Sequence, residues 1–345
     1  MQLEEIKKSL ANWPEIVAKY QKPNSKKALS QILGAFLPFV ALWVAMYFSL
    51  RVSYFLTLFL GIVNAFFLLK IFTIQHDCGH QSFFKSRKLN NLVGFICSMF
   101  SFVPYKYWAR EHNFHHAHNG QLDRESRKIG DISVMTVKEF ESHSPIRRLR
   151  YRLFRNPIIL FFIGPVYYMI VNNRFNIRRL WNWKTTRRSL LINNATVLSV
   201  YLSLGFFLGW KKFFMVQIPI FYVFAVTSVW FFYVQHNHKN NYKAFKGNWD
   251  YLLSAVKGSS YYKLPKVFQW LSGNIGFHHI HHLSSLIPNY NLERCHNENP
   301  AFGKYVTVMT FTESLKTVFN KLWDEENQKM ISFGEFYRRQ KQLAA

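Results

Sequence analysis

Three stretches of the chain concentrate imidazoles at spacings suited to metal binding. They are His76-Asp77-Cys78-Gly79-His80, His112-Asn113-Phe114-His115-His116 and His278-His279-Ile280-His281-His282. As patterns they read H-x-x-x-H, H-x-x-H-H and H-x-x-H-H. Positions i, i+3 and i+4 share one face of an α-helix, so each stretch aims two or three rings at one point. His76, His80, His112, His115, His116, His278, His281 and His282 supply eight nitrogens. That is too many for one tetrahedral zinc and right for two metals. His236, in Val234-Gln235-His236, is a candidate ninth ligand. The set is rich in nitrogen and poor in oxygen, whereas hydrolytic two-metal sites normally hold bridging carboxylates. Only Asp77 falls inside a stretch, and it lies off the His76/His80 face. Imidazole suits iron, copper, zinc and nickel. Two irons with open positions can bind and cleave dioxygen. No acid or base can deprotonate an unactivated methylene, so attack there needs such an oxidising cofactor. Metal-bound imidazoles also need partners on their other ring nitrogen. Asp77, Glu111, Asp131, Asp250 and Asn274 are the polar candidates for that role.

The elements that must position these rings are read from the apolar runs. Ala28–Leu50, Tyr54–Thr73, Ser189–Gly209 and Phe213–Val234 are each long enough to cross a bilayer. Arg51-Val52-Ser53 and Lys211-Lys212 are short turns between them. The second run leads directly into His76 and the fourth into His236, so both rings emerge just above the membrane. The remaining parts are residues 1–27, 74–188 and 235–345. The middle one carries twenty Lys/Arg against seven Asp/Glu. The turns carry only Arg51, Lys211 and Lys212. The positive-inside rule therefore puts the three large parts, and all the histidine stretches, on the cytoplasmic side. The formal net charge of +26, taken alone, would raise nucleic acid as a partner. A 49% hydrophobic and 18% aromatic composition with four apolar runs argues against that. A metal transporter would need polar groups at the bilayer midplane, which these runs hardly contain.

Smaller features complete the reading. Trp13-Pro14-Glu15 opens a short interfacial helix in a basic arm with no cleavable signal peptide. Lys70 reads as a lysine snorkelling to the interface. Asn91–Trp108, broken by Gly94 and Pro104, reads as a helix dipping into or lying on the membrane. Pro157–Val171 reads as an interfacial hairpin or surface helix, and Trp323-Asp324-Glu325-Glu326 as surface helix. His118, His143, His238, His279 and His296 are read as structural. Cys78, Cys97 and Cys295 have no paired spacing and are read as buried or idle thiols.

The histidine pattern, its separations and the four runs together resemble the membrane fatty acid desaturase family. The likeness extends to Ile71–Lys85, Phe232–His236, Gly258–Pro265, Gly273–Leu283 and Pro288–Leu292, and covers about residues 12–335. These runs are similar to the bacterial acyl-lipid desaturases. The resemblance implies a single all-α integral membrane domain over residues 1–345, with four transmembrane helices and a cytosolic helical cap. It implies two iron ions held by the eight histidines plus His236. It also implies dioxygen and an external electron carrier such as ferredoxin, with a double bond introduced into an acyl chain of membrane lipids. Delta-12/omega-6 and delta-5 regiochemistry are both compatible with it. So is the related outcome of a hydroxylase or ketolase. It implies the bacterial inner membrane, with the site facing the cytoplasm. Two departures stand out: Lys239-Asn240-Asn241-Tyr242-Lys243 is basic where bacterial relatives are acidic, and His238 stands where they carry an apolar residue.

Overall fold

A computed structural model describes residues 2–175 and 183–344. The chain is mostly helical. Among the described residues, four helices are long and apolar enough to cross a membrane: Ser25–Ser49, Tyr54–Gly79, Lys184–Leu208 and Trp210–His236, here spans one to four. All four expected runs are present, with ends displaced by helix chemistry. Span one starts at Ser25 rather than 28 because the Asn24 side chain accepts from the Lys27 amide; Lys26 and Lys27 end the apolar run but not the helix. Span two continues past Thr73 to Gly79, since the polar residues of the first histidine stretch are compatible with helix. Span four begins at Trp210, after Gly209 at φ +83°.

A few polar ties fix the bundle. Asn64 Nδ2 donates to the Phe39 carbonyl (3.2 Å), and Trp43 Nε1 to Gln217 Oε1 (3.0 Å). Gly61 lets Met46 and Pro219 approach; a Cβ there would sit 3.0 and 3.1 Å from them. Because the spans alternate in direction, the described parts of 2–24, 80–183 and 237–344 leave from one end. Only 50–53 and Gly209 turn at the other.

Several expectations need correction. The 91–108 segment is two helices, Arg87–Ser101 and Tyr105–His118, hinged at Phe102 in the left-handed region (φ 61°) and at Pro104. Of the two expectations for 157–171 the helix holds and the hairpin does not: Ile159–Asn172 form an apolar helical run, bent by 57° against Pro145–Phe154. Residues 322–331 are not surface helix. Leu322–Asp324 (β4) and Lys329–Ile331 (β5) make an antiparallel hairpin, and Met135–Thr136 (β1) adds in parallel to β4. Trp323 is fully buried, and burying a tryptophan is worth more than the helix propensity of Glu325 and Glu326. Ser260–Tyr262 (β2) and Thr307–Met309 (β3) pair in parallel, so five short strands interrupt the all-α pattern.

The N-terminal arm is neither solvated nor purely interfacial. Ile6, Leu10 and Val17 are buried against Val256, Ile280 and Leu292 of the cap, because Ile6 and Leu10 share a helix face. Lys70 does not snorkel. It is fully buried, with its ammonium 3.0 Å from the ring centroid of Trp270. The helix Lys266–Leu271, which carries that ring, packs against span two and covers the ammonium.

Candidate metal centre

Four helices bring the histidines together at one end of the spans. His76 and His80 close span two, and His236 closes span four. His112, His115 and His116 lie on Tyr105–His118. His278, His281 and His282 lie on the wholly buried turn His278–Leu283. Each helix is locked in place. Gln75 donates to the Val103 carbonyl (2.9 Å) and accepts from Ser101 Oγ (2.6 Å), joining span two to the turn before the His112 helix. Gln235 Nε2 donates to the Ile275 carbonyl (2.8 Å), joining span four to the segment before His278. Gly276 lets the same segment pack against Tyr262 and Gln269: a Cβ would fall 2.5 Å from the Tyr262 carbonyl.

The rings sort into two groups. His76, His80, His112, His116 and His281 present nitrogens all within 4.8 Å of one another, as do His115, His236 and His282. His278 adjoins the second group, its Nε2 2.8 Å from that of His236 and 3.1 Å from that of His282. In the first group His112 Nε2 lies 2.9 Å from His76 Nε2 and 3.1 Å from His116 Nε2, and His281 Nε2 lies 3.0 Å from His116 Nε2. All nine rings are buried.

This donor set fits two metal ions. Converging Nε2 atoms cannot satisfy one another, since each close pair can share only one proton. Metal–nitrogen bonds of about 2.1 Å place neighbouring ligand nitrogens about 3 Å apart, as these are. The rings are also in their ligating form. Burial, then neighbouring imidazoles, hold His112, His116, His281 and His282 well below the ordinary histidine range. Burial takes His115 to about 4, with Asp131 opposing and Lys243 assisting. Neutral imidazole is what binds metal.

The outer partners match the sequence candidates only in part. Asp77 Oδ1 lies 3.0 Å from His76 Nδ1, the neighbour expected of an oriented ligand. Glu111 is buried on the same helix as His112, its carbonyl against Gly130 at φ +69°. Asp131 reaches His115 through its charge. Asn274 (φ 58°) donates to the Asn289 carbonyl at 3.3 Å, a step removed from the rings. Asp250 caps Tyr251–Val256 through the Leu253 amide (2.9 Å) and faces Lys7 at 3.5 Å.

Sequence reasoning missed Asn289, which holds Asp77. It also missed the Gly258 carbonyl, 3.2 Å from His236 Nδ1. A backbone carbonyl leaves no sequence signal. Trp108 stacks on His112 (4.5 Å, 15°), and Phe232 lies beside His115 and His236 at 5.0 and 5.1 Å. His279 and His296 pair with each other at 3.1 Å, and His238 is buried outside both groups. The three cysteines are free and buried, and none joins a group.

Comparison with known proteins agrees with this geometry. The profile described as "Fatty acid desaturase" matches residues 49–313. A "Fatty acid desaturase" of Bacillus subtilis (strain 168) is 43% identical over 92% of this chain and 89% of its own length. An "sn-1 oleoyl-lipid 12-desaturase" of Anabaena variabilis is 28% identical, covering 84% of this chain and 83% of its own. An "sn-1 acyl-lipid omega-3 desaturase (ferredoxin)" of Nostoc sp. (strain 36) is 26% identical over 74% of this chain and 69% of its own. With a match across most of its length, and imidazoles gathered at the end of four apolar helices, the chain belongs to the fatty acid desaturase family of oxidoreductases.

Proposed function

We propose that this chain introduces a double bond into acyl chains of membrane glycerolipids, using two iron ions, dioxygen and electrons from a ferredoxin-like carrier. The observation that carries the proposal is the pair of buried imidazole groups meeting where spans two and four end. His76, His80, His112, His116 and His281 would hold one ion, and His115, His236, His278 and His282 the other. Bound iron supplies the dioxygen-dependent oxidation of an unactivated methylene that no side chain here can perform.

The protein's own part is positioning and exclusion. The far nitrogens of His76 and His236 are engaged by Asp77 and by the Gly258 carbonyl, which orients both rings inward. Phe72 packs on Trp108 at 5.0 Å and on Phe224 at 5.6 Å, an aromatic wall running from the bilayer to His112. Such a wall suits an acyl chain and keeps water from it. The lipid-linked substrate is supported by the printed names of the Anabaena and Nostoc relatives.

The histidine end is read as cytoplasmic, at the inner membrane of a bacterium. Its excess of Lys and Arg suits an acidic carrier and anionic lipids. Of the unusual basic stretch, Lys239 faces outward while Lys243 is buried, so the added charge at that surface comes from Lys239.

The test expresses wild type and His281→Ala, with a ferredoxin and its reductase, in a bacterial host lacking polyunsaturated lipids. Gas chromatography–mass spectrometry of the lipids is the readout. A double bond made by wild type alone is expected, and its position is read directly. A hydroxylated chain would replace this reading with the hydroxylase alternative. No product despite two bound irons would overturn it.

A further inference from the structure

The metal reading leaves one buried connection unused. His76 Nδ1 faces Asp77 Oδ1 at 3.0 Å, and a carboxylate only accepts, so Nδ1 carries the proton and Nε2 points into the five-imidazole group. Adjacent helical residues diverge by about 100°. A carboxylate turned back onto its neighbour's ring therefore needs its second oxygen fixed. That oxygen, Asp77 Oδ2, accepts twice from a residue 212 positions away: from the backbone amide of Asn289 at 2.6 Å and from Asn289 Nδ2 at 3.0 Å.

Asn289 is fully buried and is the first residue of the helix Asn289–Glu298, which follows Pro288. Its amide is one of the donors a helix start leaves unpaired, and the helix dipole there favours a negative charge. The Asn289 carbonyl in turn accepts from Asn274 Nδ2 at 3.3 Å. Asn274 is held in the left-handed region four residues before His278. The next residue pins the same turn: the Tyr290 hydroxyl donates to the Phe83 carbonyl at 3.1 Å and accepts from the Asn24 amide at 3.0 Å.

We propose that Asn289 is a positioning residue for one half of the metal centre, holding Asp77 against His76 and tying the first histidine stretch to the approach of the third. The inference rests on the reading of the nine histidines as a two-metal site and specifies which half depends on this helix. His236, in the other half, leans instead on the Gly258 carbonyl and is independent of Asn289. Loosening Asp77 should therefore weaken one metal and spare the other. Loss of such a partner commonly costs 10- to 100-fold in metal affinity.

The test is metal counting, independent of turnover. Wild type, Asn289→Ala, Asp77→Asn and Asn291→Ala are purified in nanodiscs, stripped, and titrated anaerobically with ferrous iron and separately with cobalt(II). Tightly held metal per chain is then measured by plasma mass spectrometry. Asn291 is the control. It lies on the same helix and bonds the Tyr20 carbonyl at 2.9 Å without contacting Asp77. Wild type and Asn291→Ala should retain two ions. Asn289→Ala and Asp77→Asn should retain one and bind the second 10- to 100-fold more weakly. Two ions of unchanged affinity in Asn289→Ala overturn the inference, as does equal loss in Asn291→Ala, which would make the helix a mere support. If Asn289→Ala fails to fold, Asp77→Asn, nearly isosteric, decides alone. A wild type that binds no metal instead removes the metal reading itself.

Discussion

At the scale of single residues, the centre is a set of imidazoles kept neutral by burial, and two predictions follow from that. The first concerns His236, which comes from outside the three stretches. Its Nε2 lies 3.2 Å from that of His115 and 2.8 Å from that of His278. His236→Ala should leave about one iron per chain and abolish product; full iron content with normal product would remove it from the ligand set. The second concerns acid. In the metal-free protein His115 titrates at about 4, against 6.5 in an unfolded chain. Between those values the unfolded chain binds more protons, so stability is complete above about 6.5 and declines as pH falls towards about 4. His112, His116, His281 and His282, also lowered, act in the same direction. Melts of stripped protein at pH 7.5, 6 and 5 should show a falling midpoint, and a flat series would contradict it. The gathering of the candidate ligands was legible because i, i+3, i+4 spacing is a local property of the sequence. Their outer partners were mostly not. Asp77 is adjacent to His76 and was found, whereas Asn289 is brought to it only by folding. Asp250 attracted notice by charge and serves a helix cap.

At the scale of elements, composition gave the four spans because a lipid-facing helix must be apolar along its whole length. It failed for the 322–331 hairpin, whose single buried tryptophan outweighs an acidic, helix-prone neighbourhood. It failed also for Lys70, because a helix far along the chain decides whether a lysine can reach water. The joint between the two helices of residues 87–118 sets where His112 points. Gly94 receives the ring of Tyr105 so closely that a Cβ would lie 2.3 Å from its Cε2, and the Tyr105 hydroxyl donates to the Cys78 carbonyl at 2.7 Å. Gly94→Ala should overpack this joint, costing about 1–3 kcal/mol. It should lower activity more than Leu92→Ala on the exposed face of the same helix, as read by thermal melts and product yield together. Among the described residues, the buried ammonium of Lys70 meets the ring of Trp270 and no hydrogen-bond partner, so that ring is what offsets its desolvation. Lys70→Met is expected to leave the melting midpoint unchanged or raised, while Trp270→Ala lowers it. A drop of several degrees in Lys70→Met would reveal an anionic partner for the ammonium.

At the scale of the whole molecule, the decisive feature is that charge and chemistry occupy the same end. Leu37, Phe48, Phe55, Phe59, Phe206 and Phe207 are exposed on the spans, a surface that only lipid can cover. Among the described residues, the turns at 50–53 and 209 lie beyond the far end of that surface, and the basic residues there are Arg51 and, in the first turn of span four, Lys211 and Lys212. Beyond the near end lie both histidine groups, the docked N-terminal helices and almost all the remaining Lys and Arg. A charge imbalance of this size in segments flanking the spans sets orientation during insertion. On the cytoplasmic orientation proposed above, the metal centre would lie where reduced carriers are made, and the acyl chain would enter from the bilayer past Phe72 and Phe224. Alkaline phosphatase fused after Arg51 or Lys211 in a bacterial host should therefore be active. A fluorescent protein fused after Ala345, which folds only in the cytoplasm, should shine. The inverse result would put the imidazoles on the outer face. An intracellular ferredoxin could not reach them there, so the electron source would have to be a membrane-bound or periplasmic donor.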